Sequence, residues 1–578
     1  MAQPESGASR ELAQALSASR RIFLHLAAFS LFVNLLMLTG PLYMLQVYDR
    51  VLASQSMPTL VSLTLLILLL YGTLGILEWV RSGLFGAAAS RFENALGERA
   101  ANAAMASSLR DAGRQTERPI RDLRTLRRFL SSPALNAAFD APWTPLFFIV
   151  LFLLHPAFFV WALFGCLVLV GLGLLNQKNS SRLTREAEDT ERRAQLRASE
   201  MVRNAEVLDA MGMRGAVRDR WRGDFDASDA AIARSNRVLS AFSSGTKAFR
   251  LFLQSAILGL GAWLAIKGDA SHGAMIAASI LMGRAIAPIE QTVGQWRSIV
   301  NAREAWSSLN GFLAQSAIGA DTMELPPIRG FISVEAVFAG PAGAKKPLLR
   351  GLNFTLEPGD VLGVLGPSAA GKSTFARVMT GVWPAQAGHV RIDGADISSY
   401  ERNALGWQIG YLPQQTDLMA GTVRDNIARF DRQAEPGTII AAAEAAACHD
   451  LILRLPDGYD TEIGTGGAYL SAGQRQRVGL ARALFGEPNF VVLDEPNSNL
   501  DGPGDEALQK AILGLKARGA TTILIAHRPN AILHCNKLMV LDGGEIRAFG
   551  PRDEVLGKIT PNHSAPNVRT MCPSDANV

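Results

Sequence analysis

The sequence predicts a multidomain membrane protein: a transmembrane domain of six α-helices, followed by an α/β domain built around a phosphate-binding loop. Three observations carry this. Residues 20–310 alternate apolar blocks with arginine-rich polar stretches. The stretch Gly366-Pro-Ser-Ala-Ala-Gly-Lys372-Ser373-Thr374 lies between an apolar run that reads as a strand and a segment that reads as a helix. A second apolar run ends in two carboxylates, Asp494 and Glu495. With 578 residues the chain exceeds one domain, so its 48% hydrophobic content and net charge of +5 average over two unlike halves.

Residues 1–19 read as a polar N-terminal segment, and the first apolar block is too long for a cleavable signal peptide. The apolar blocks fall at about 22–47, 60–80, 143–154, 157–175, 249–266 and 274–289. Each is near the ~20 residues a helix needs to cross a bilayer. The third is short unless 139–145 belongs to it, and His155-Pro156 turns the chain into the fourth. A transmembrane domain over 20–315 follows. Nine arginines from Arg91 to Arg128 separate the second and third blocks, and another basic stretch from Arg182 to Arg203 follows the fourth. Positive loops remain in the cytoplasm, so the N-terminus, both long loops and the C-terminal half are expected there. That arrangement accounts for the basic excess without nucleic acid. The loops are rich in helix formers, and short transverse helices at their turns are expected near 123–130 and 205–213. Cys166, Cys448, Cys535 and Cys572 are far apart, with neither zinc spacing nor a disulfide pattern. Asp49-Arg50 and Asp140, at ends of apolar blocks, are candidates for gating or partner contact or for a plain interfacial ion pair.

The soluble α/β domain is expected over 330–558, with a polar, disordered tail at 559–578. In a phosphate loop the glycines allow a tight turn whose N–H groups face phosphate oxygens. Gly366, Pro367, Ser368, Ala369, Ala370 and Gly371 would form the cradle. Lys372 would reach the β- and γ-phosphates, while Ser373, next to Thr374, would ligate Mg²⁺. Asp494 suits Mg²⁺ as a hard oxygen ligand, and Glu495 suits polarising an attacking water.

Between these elements lies Tyr469-Leu-Ser471-Ala-Gly473-Gln474-Arg-Gln-Arg477. A phosphate loop, then LSxGQ, then a strand ending Asp-Glu resembles the ATP-binding-cassette (ABC) ATPase family over roughly 330–556. Gln414 matches the family's Q-loop glutamine, Ser498-Asn-Leu-Asp501 its D-loop and His527 its switch histidine. The resemblance implies ATP and Mg²⁺ as cofactors. It makes Glu495 the general base or water-orienting group, places Gln414 near metal and water, and sets His527 on the γ-phosphate. Ser471, Gly473, Gln474 and Asp501 are implied to contact the nucleotide, with Ser471 and Gly473 serving the second protomer's γ-phosphate. One cassette per chain then implies a half-transporter working as a homodimer. Ala472 stands where the family has glycine, and Phe338 is the one aromatic in 334–343 that could stack on adenine or else serve as a core strand residue.

The membrane half is more discriminating about cargo. The segments 41–52 and 139–146 resemble those of type I secretion ATPases, in the branch that exports proteases, lipases and glycanases. About twenty residues precede the first apolar block, too few for the N-terminal peptidase of bacteriocin exporters, so leader processing is not expected. The resemblance implies an ATP-driven exporter in the bacterial inner membrane. It would move unfolded proteins with a C-terminal signal, aided by a periplasmic adaptor and a TolC-type outer-membrane channel. Export of lipids or small molecules is the alternative.

Overall fold

The computed structural model describes residues 5–110, 117–315, 325–341, 346–498, 500, 502–526 and 532–559. They form two compact units: Met1–Ser107 with Thr116–Ala317, and Ser108–Gln115 with Ile318–Val578. The expected tail at 560–578 lies outside the described residues.

Among the described residues of the first unit, six helices are long and apolar enough to cross a membrane: Arg20–Ser54, Met57–Leu109, Pro133–Leu154, Pro156–Arg203, Arg214–Lys267 and His272–Gly294. Leu65, Leu68 and Leu69 stay exposed on the second, which suits a hydrocarbon surrounding. The helices Met57–Arg110 and Arg214–Lys267 each run 54 residues, roughly 80 Å at the helical rise. Their arginine-rich stretches therefore continue the same helices well past the apolar portion. The third span does take in 139–145: Pro133–Asp140 leads through a 3₁₀ turn, Ala141–Trp143, into Thr144–Leu154. Pro142 and Pro145 lack the N–H groups that would continue a plain α-helix there.

The first unit adds one element to the sequence reading. The N-terminal segment forms a helix, Glu5–Ser17, with Leu12 and Ala15 buried against Phe92, Leu96 and Leu309. Its polar composition hid a short apolar side. The helix Arg118–Leu130 covers the expected position 123–130, and its Leu123, Leu126 and Leu130 pack into that same cluster. Residues 111–116, just before it, lie outside the described residues. The short helix Ala205–Ala210 does sit at the other expected turn.

Asp140 is the hub of a buried network. It accepts hydrogen bonds from Arg81 at 2.8 Å, from Asn34 at 3.0 Å and from Ser30, joining the first three spans. Asp49 lies near the end of the first span, in a π-helical turn, Val47–Val51. It accepts from Gly273 N at 2.8 Å and from Ser271 Oγ, at the start of the sixth span.

In the second unit, β1 (Ile332–Ala339), β2 (Leu349–Leu356), β4 (Ala387–Ile392) and β5 (Ala395–Asp396) form an antiparallel sheet ordered β2-β1-β4-β5. The main sheet uses β3 (Val361–Leu365), β6 (Ile409–Leu412), β7 (Phe490–Asp494), β8 (Thr521–Ile525), β9 (Lys537–Asp542) and β10 (Glu545–Pro551), ordered β10-β9-β3-β8-β7-β6. All its pairings are parallel except β10 with β9. Every residue of β7 and β8 is buried, as expected of a parallel sheet covered on both faces. Open parallel sheets place ligands beyond the carboxyl ends of their strands, where β3 and β7 deliver the phosphate loop and the acidic pair.

Candidate functional site

The phosphate loop leaves β3 at Gly366 and enters the helix Lys372–Met379 at Gly371. A Cβ at Gly366 would come 2.1 Å from Leu541 O, so no larger residue fits against β9. Gly371 has φ +100°, a left-handed conformation that glycine adopts without strain. Lys372 Nζ donates to Gly366 O at 2.8 Å and Pro367 O at 2.9 Å. Burial pushes its pKa down, while the charges of Glu495 and Asp494 act the other way. A phosphate placed in the loop would give this desolvated cation an anionic partner. Pro367, Ser368 and Ala369 are exposed on the loop's outer edge, whereas Ala370 and Thr374 are buried beneath it.

Asp494, at the end of β7, is 2% exposed and hydrogen-bonded to Ser373. Burial raises its pKa, and the neighbouring Glu495 charge adds to the effect. Its Oδ1 has no hydrogen-bond partner among the described residues. A buried carboxylate oxygen lacking a donor, beside a serine hydroxyl, is what a hard divalent cation takes as ligand. The residues present therefore fit Mg²⁺.

Glu495 has φ +51°, unusual for a residue with a side chain. Its N–H donates to Ile525 O at 3.0 Å, tying it to β8. Gln414 is exposed two residues beyond β6, and since Leu412 pairs with Leu493, it leaves the sheet alongside Asp494 and Glu495. The structure thus gathers the phosphate loop, Lys372, Ser373, Asp494, Glu495 and Gln414 at one edge of the main sheet. His527 and Asp501 lie outside the described residues.

Ser471, Gly473 and Gln474 occupy a different place, the N-terminus of the signature helix Ala472–Leu484. Ser471 Oγ accepts from Gln474 N at 3.2 Å, and Gln474 Oε1 accepts from Ser471 N at 2.8 Å. This reciprocal capping box satisfies two orphan N–H groups and leaves the remaining ones, with the positive end of the helix, free for an anion. Ser471 and Ala472 are exposed, so a methyl replaces the family's glycine hydrogen without a steric cost within this chain. A cleft of about 430 Å³ is lined by Gln414, Thr416, Ala472 and Gln476, joining the Q-loop to the signature helix.

Phe338 is a strand residue of β1 whose ring lies over β2: a Cβ at Gly351 would be 3.6 Å from its Cζ. Two contributors escaped the sequence reading. Gln476 is 4% exposed and reaches the Glu495 turn from the signature helix. Arg429 donates to Arg482 O at 3.0 Å and Ala483 O at 3.2 Å, capping that helix's C-terminus. Both act on backbone carbonyls distant in sequence, so no local pattern marks them.

The ABC transporter family matches residues 349–498, and the ABC transporter transmembrane region matches 23–288. The type I secretion system ATP-binding protein PrsD of Rhizobium meliloti (strain 1021) is 41% identical over 96% of this chain and 95% of its own length. The cyclolysin secretion/processing ATP-binding protein CyaB of Bordetella pertussis is 29% identical, covering 94% of this chain and 77% of its own. The leukotoxin translocation ATP-binding protein LktB of Mannheimia haemolytica is also 29% identical, over 93% and 76%. A bacterial Atm1-family ABC exporter with ATP bound superposes with a TM-score of 0.81 at 21% identity, over 94% of this chain and 97% of that one. That likeness establishes the ABC exporter fold.

Proposed function

The chain belongs to the type I secretion ATP-binding proteins of the ABC transporter family, and from that premise we propose how its residues divide the work. It is a multi-pass membrane ATPase whose hydrolysis drives protein secretion. The match to a type I secretion component along nearly its whole length carries this conclusion. Relatives that secrete cyclolysin and translocate leukotoxin favour protein cargo over lipids or small molecules.

In our reading, the N–H groups of 366–371 and Lys372 hold the β- and γ-phosphates. Asp494 and Ser373 would hold Mg²⁺, with Gln414 beside it, and the ion would supply charge neutralisation at the phosphate oxygens. Glu495 orients the attacking water and accepts its proton. His527 would steady the γ-phosphate. The signature helix of one copy presents Ser471, Gly473 and its N–H groups to the nucleotide of the other, with Asp501 at that boundary. Hydrolysis is then a property of a homodimer. Developing charge on the transferred phosphoryl group meets fixed donors from both copies.

In this reading the N-terminus and ATPase unit are cytoplasmic, which the basic stretches support, and the membrane is the bacterial inner membrane. A periplasmic adaptor and a TolC-type channel complete the conduit, and the cargo is an unfolded protein with a C-terminal signal. The test of the chemistry is Glu495→Gln in the purified dimer. ATP binding is expected to persist while turnover falls roughly a hundredfold or more, as for loss of a general base. Turnover close to that of the unaltered protein would remove Glu495 from this role.

A further inference from the structure

The signature helix and the Glu495 turn serve different nucleotides in the proposed dimer, yet one side chain joins them within each copy. Gln476 is on the buried face of the helix, 4% exposed, one turn beyond Ser471 and Ala472. Its Nε2 donates to Pro496 O and lies 3.2 Å from Glu495 O and 3.5 Å from Ser498 Oγ. Glu495 O also accepts from Ser498 N at 3.2 Å, closing the turn that holds Glu495 at its left-handed φ. A residue with a side chain keeps such a conformation only when its surroundings fix it. Here those surroundings include an amide from the helix whose N-terminus faces the other nucleotide.

We propose that Gln476 is a positioning residue that locks the signature helix to the Glu495 turn, so that the two half-sites on one copy shift together and the two ATP sites of the dimer sense each other. This rests on the site reading above. When a γ-phosphate draws on the signature helix of one copy, Gln476 carries that movement to the same copy's Glu495, which works on the second nucleotide. A buried amide that only filled space would give no such linkage.

Mixed dimers of the full-length chain, purified through two tags and placed in nanodiscs, separate the two effects. In each, copy one carries Glu495→Gln, so turnover comes from the nucleotide held by copy two. The reference has no other change. In the first arrangement Gln476→Leu is placed in copy two, beside the working Glu495. In the second it is placed in copy one, under the signature helix facing the working site. The expected result is a fall in kcat of about tenfold in both arrangements, equivalent to about 1.4 kcal/mol. KM for ATP should stay within about twofold of the reference, the pattern of an interaction realised in the transition state. A fall in only one arrangement, in neither, or matched by an equal rise in KM overturns the proposal. Should Gln476→Leu prevent assembly, Gln476→Glu keeps the shape while removing the donor, and the same outcomes apply. Turnover that persists with Glu495→Gln in both copies overturns the assignment of Glu495, and the proposal with it.

Discussion

At the scale of single residues, Asp494 shows a site set against stability. Its carboxylate is buried at 2% exposure with Oδ1 lacking a donor among the described residues, and burial raises its pKa. Because the folded-state pKa lies above the ordinary 3.8, the folded chain holds a proton more tightly than the unfolded one. The protonated form favours folding; that contribution is full below 3.8 and is lost as pH rises through the folded value. At neutral pH the ionised group is thus a cost when no cation is bound. Asp494→Asn should raise the nucleotide-free melting temperature, by about 2–4 °C for each kcal/mol recovered, while abolishing Mg²⁺-dependent turnover. A lower melting temperature would contradict this account of the site. The phosphate loop and the acidic pair stood out in the sequence because phosphate and metal chemistry calls for particular residue types right after apolar strands. Gln476 did not, since its partners, Glu495 and Pro496, are brought to it only by the fold.

At the scale of elements, the signature helix is held at both ends. Ser471 and Gln474 cap its start, and Arg429 binds the carbonyls of Arg482 and Ala483 at its close. Burial lowers the pKa of Arg429 to about 10, so it remains a cation at neutral pH and complements the negative helix end. Ser471→Ala should cost about 1 kcal/mol of stability from the lost cap, read as a small downward shift in thermal unfolding. In the membrane half, the six spans were legible from hydropathy, but the tie between them was not. Asp140 joins Arg81, Asn34 and Ser30, which come from two other helices, and Arg81 is only 4% exposed. Asp140→Ala leaves that guanidinium with Glu78 as its remaining ionic partner among the described residues. A loss of about 3–5 kcal/mol is expected, as for breaking a buried pair from one side. Detergent-solubilised melting would check it, and an unchanged transition would show that the network is dispensable. The N-terminal helix went unread because it buries only a few apolar residues, Leu12 and Ala15, amid polar neighbours. Composition there outweighed spacing.

At the scale of the whole molecule, one ATP-binding cassette and six long spans per chain underlie the proposed homodimer, in which the exposed N-terminus of the signature helix would serve the other copy's nucleotide. The ABC motifs mark the ATPase from sequence alone, because a phosphate loop needs fixed residue types at fixed spacing. Cargo leaves a weaker trace, spread over span ends such as 41–52 and 139–146, and the full-length match to a type I secretion component supplies what those segments only suggested. The central claim is that this ATPase exports proteins. It is tested most directly by comparing the proteins in the culture medium of cells lacking the chain, complemented either with the unaltered chain or with Glu495→Gln. One or a few secreted proteins should disappear without the chain, return with the unaltered form and remain absent with Glu495→Gln. An identical set of secreted proteins in all three cultures would contradict protein export as the function.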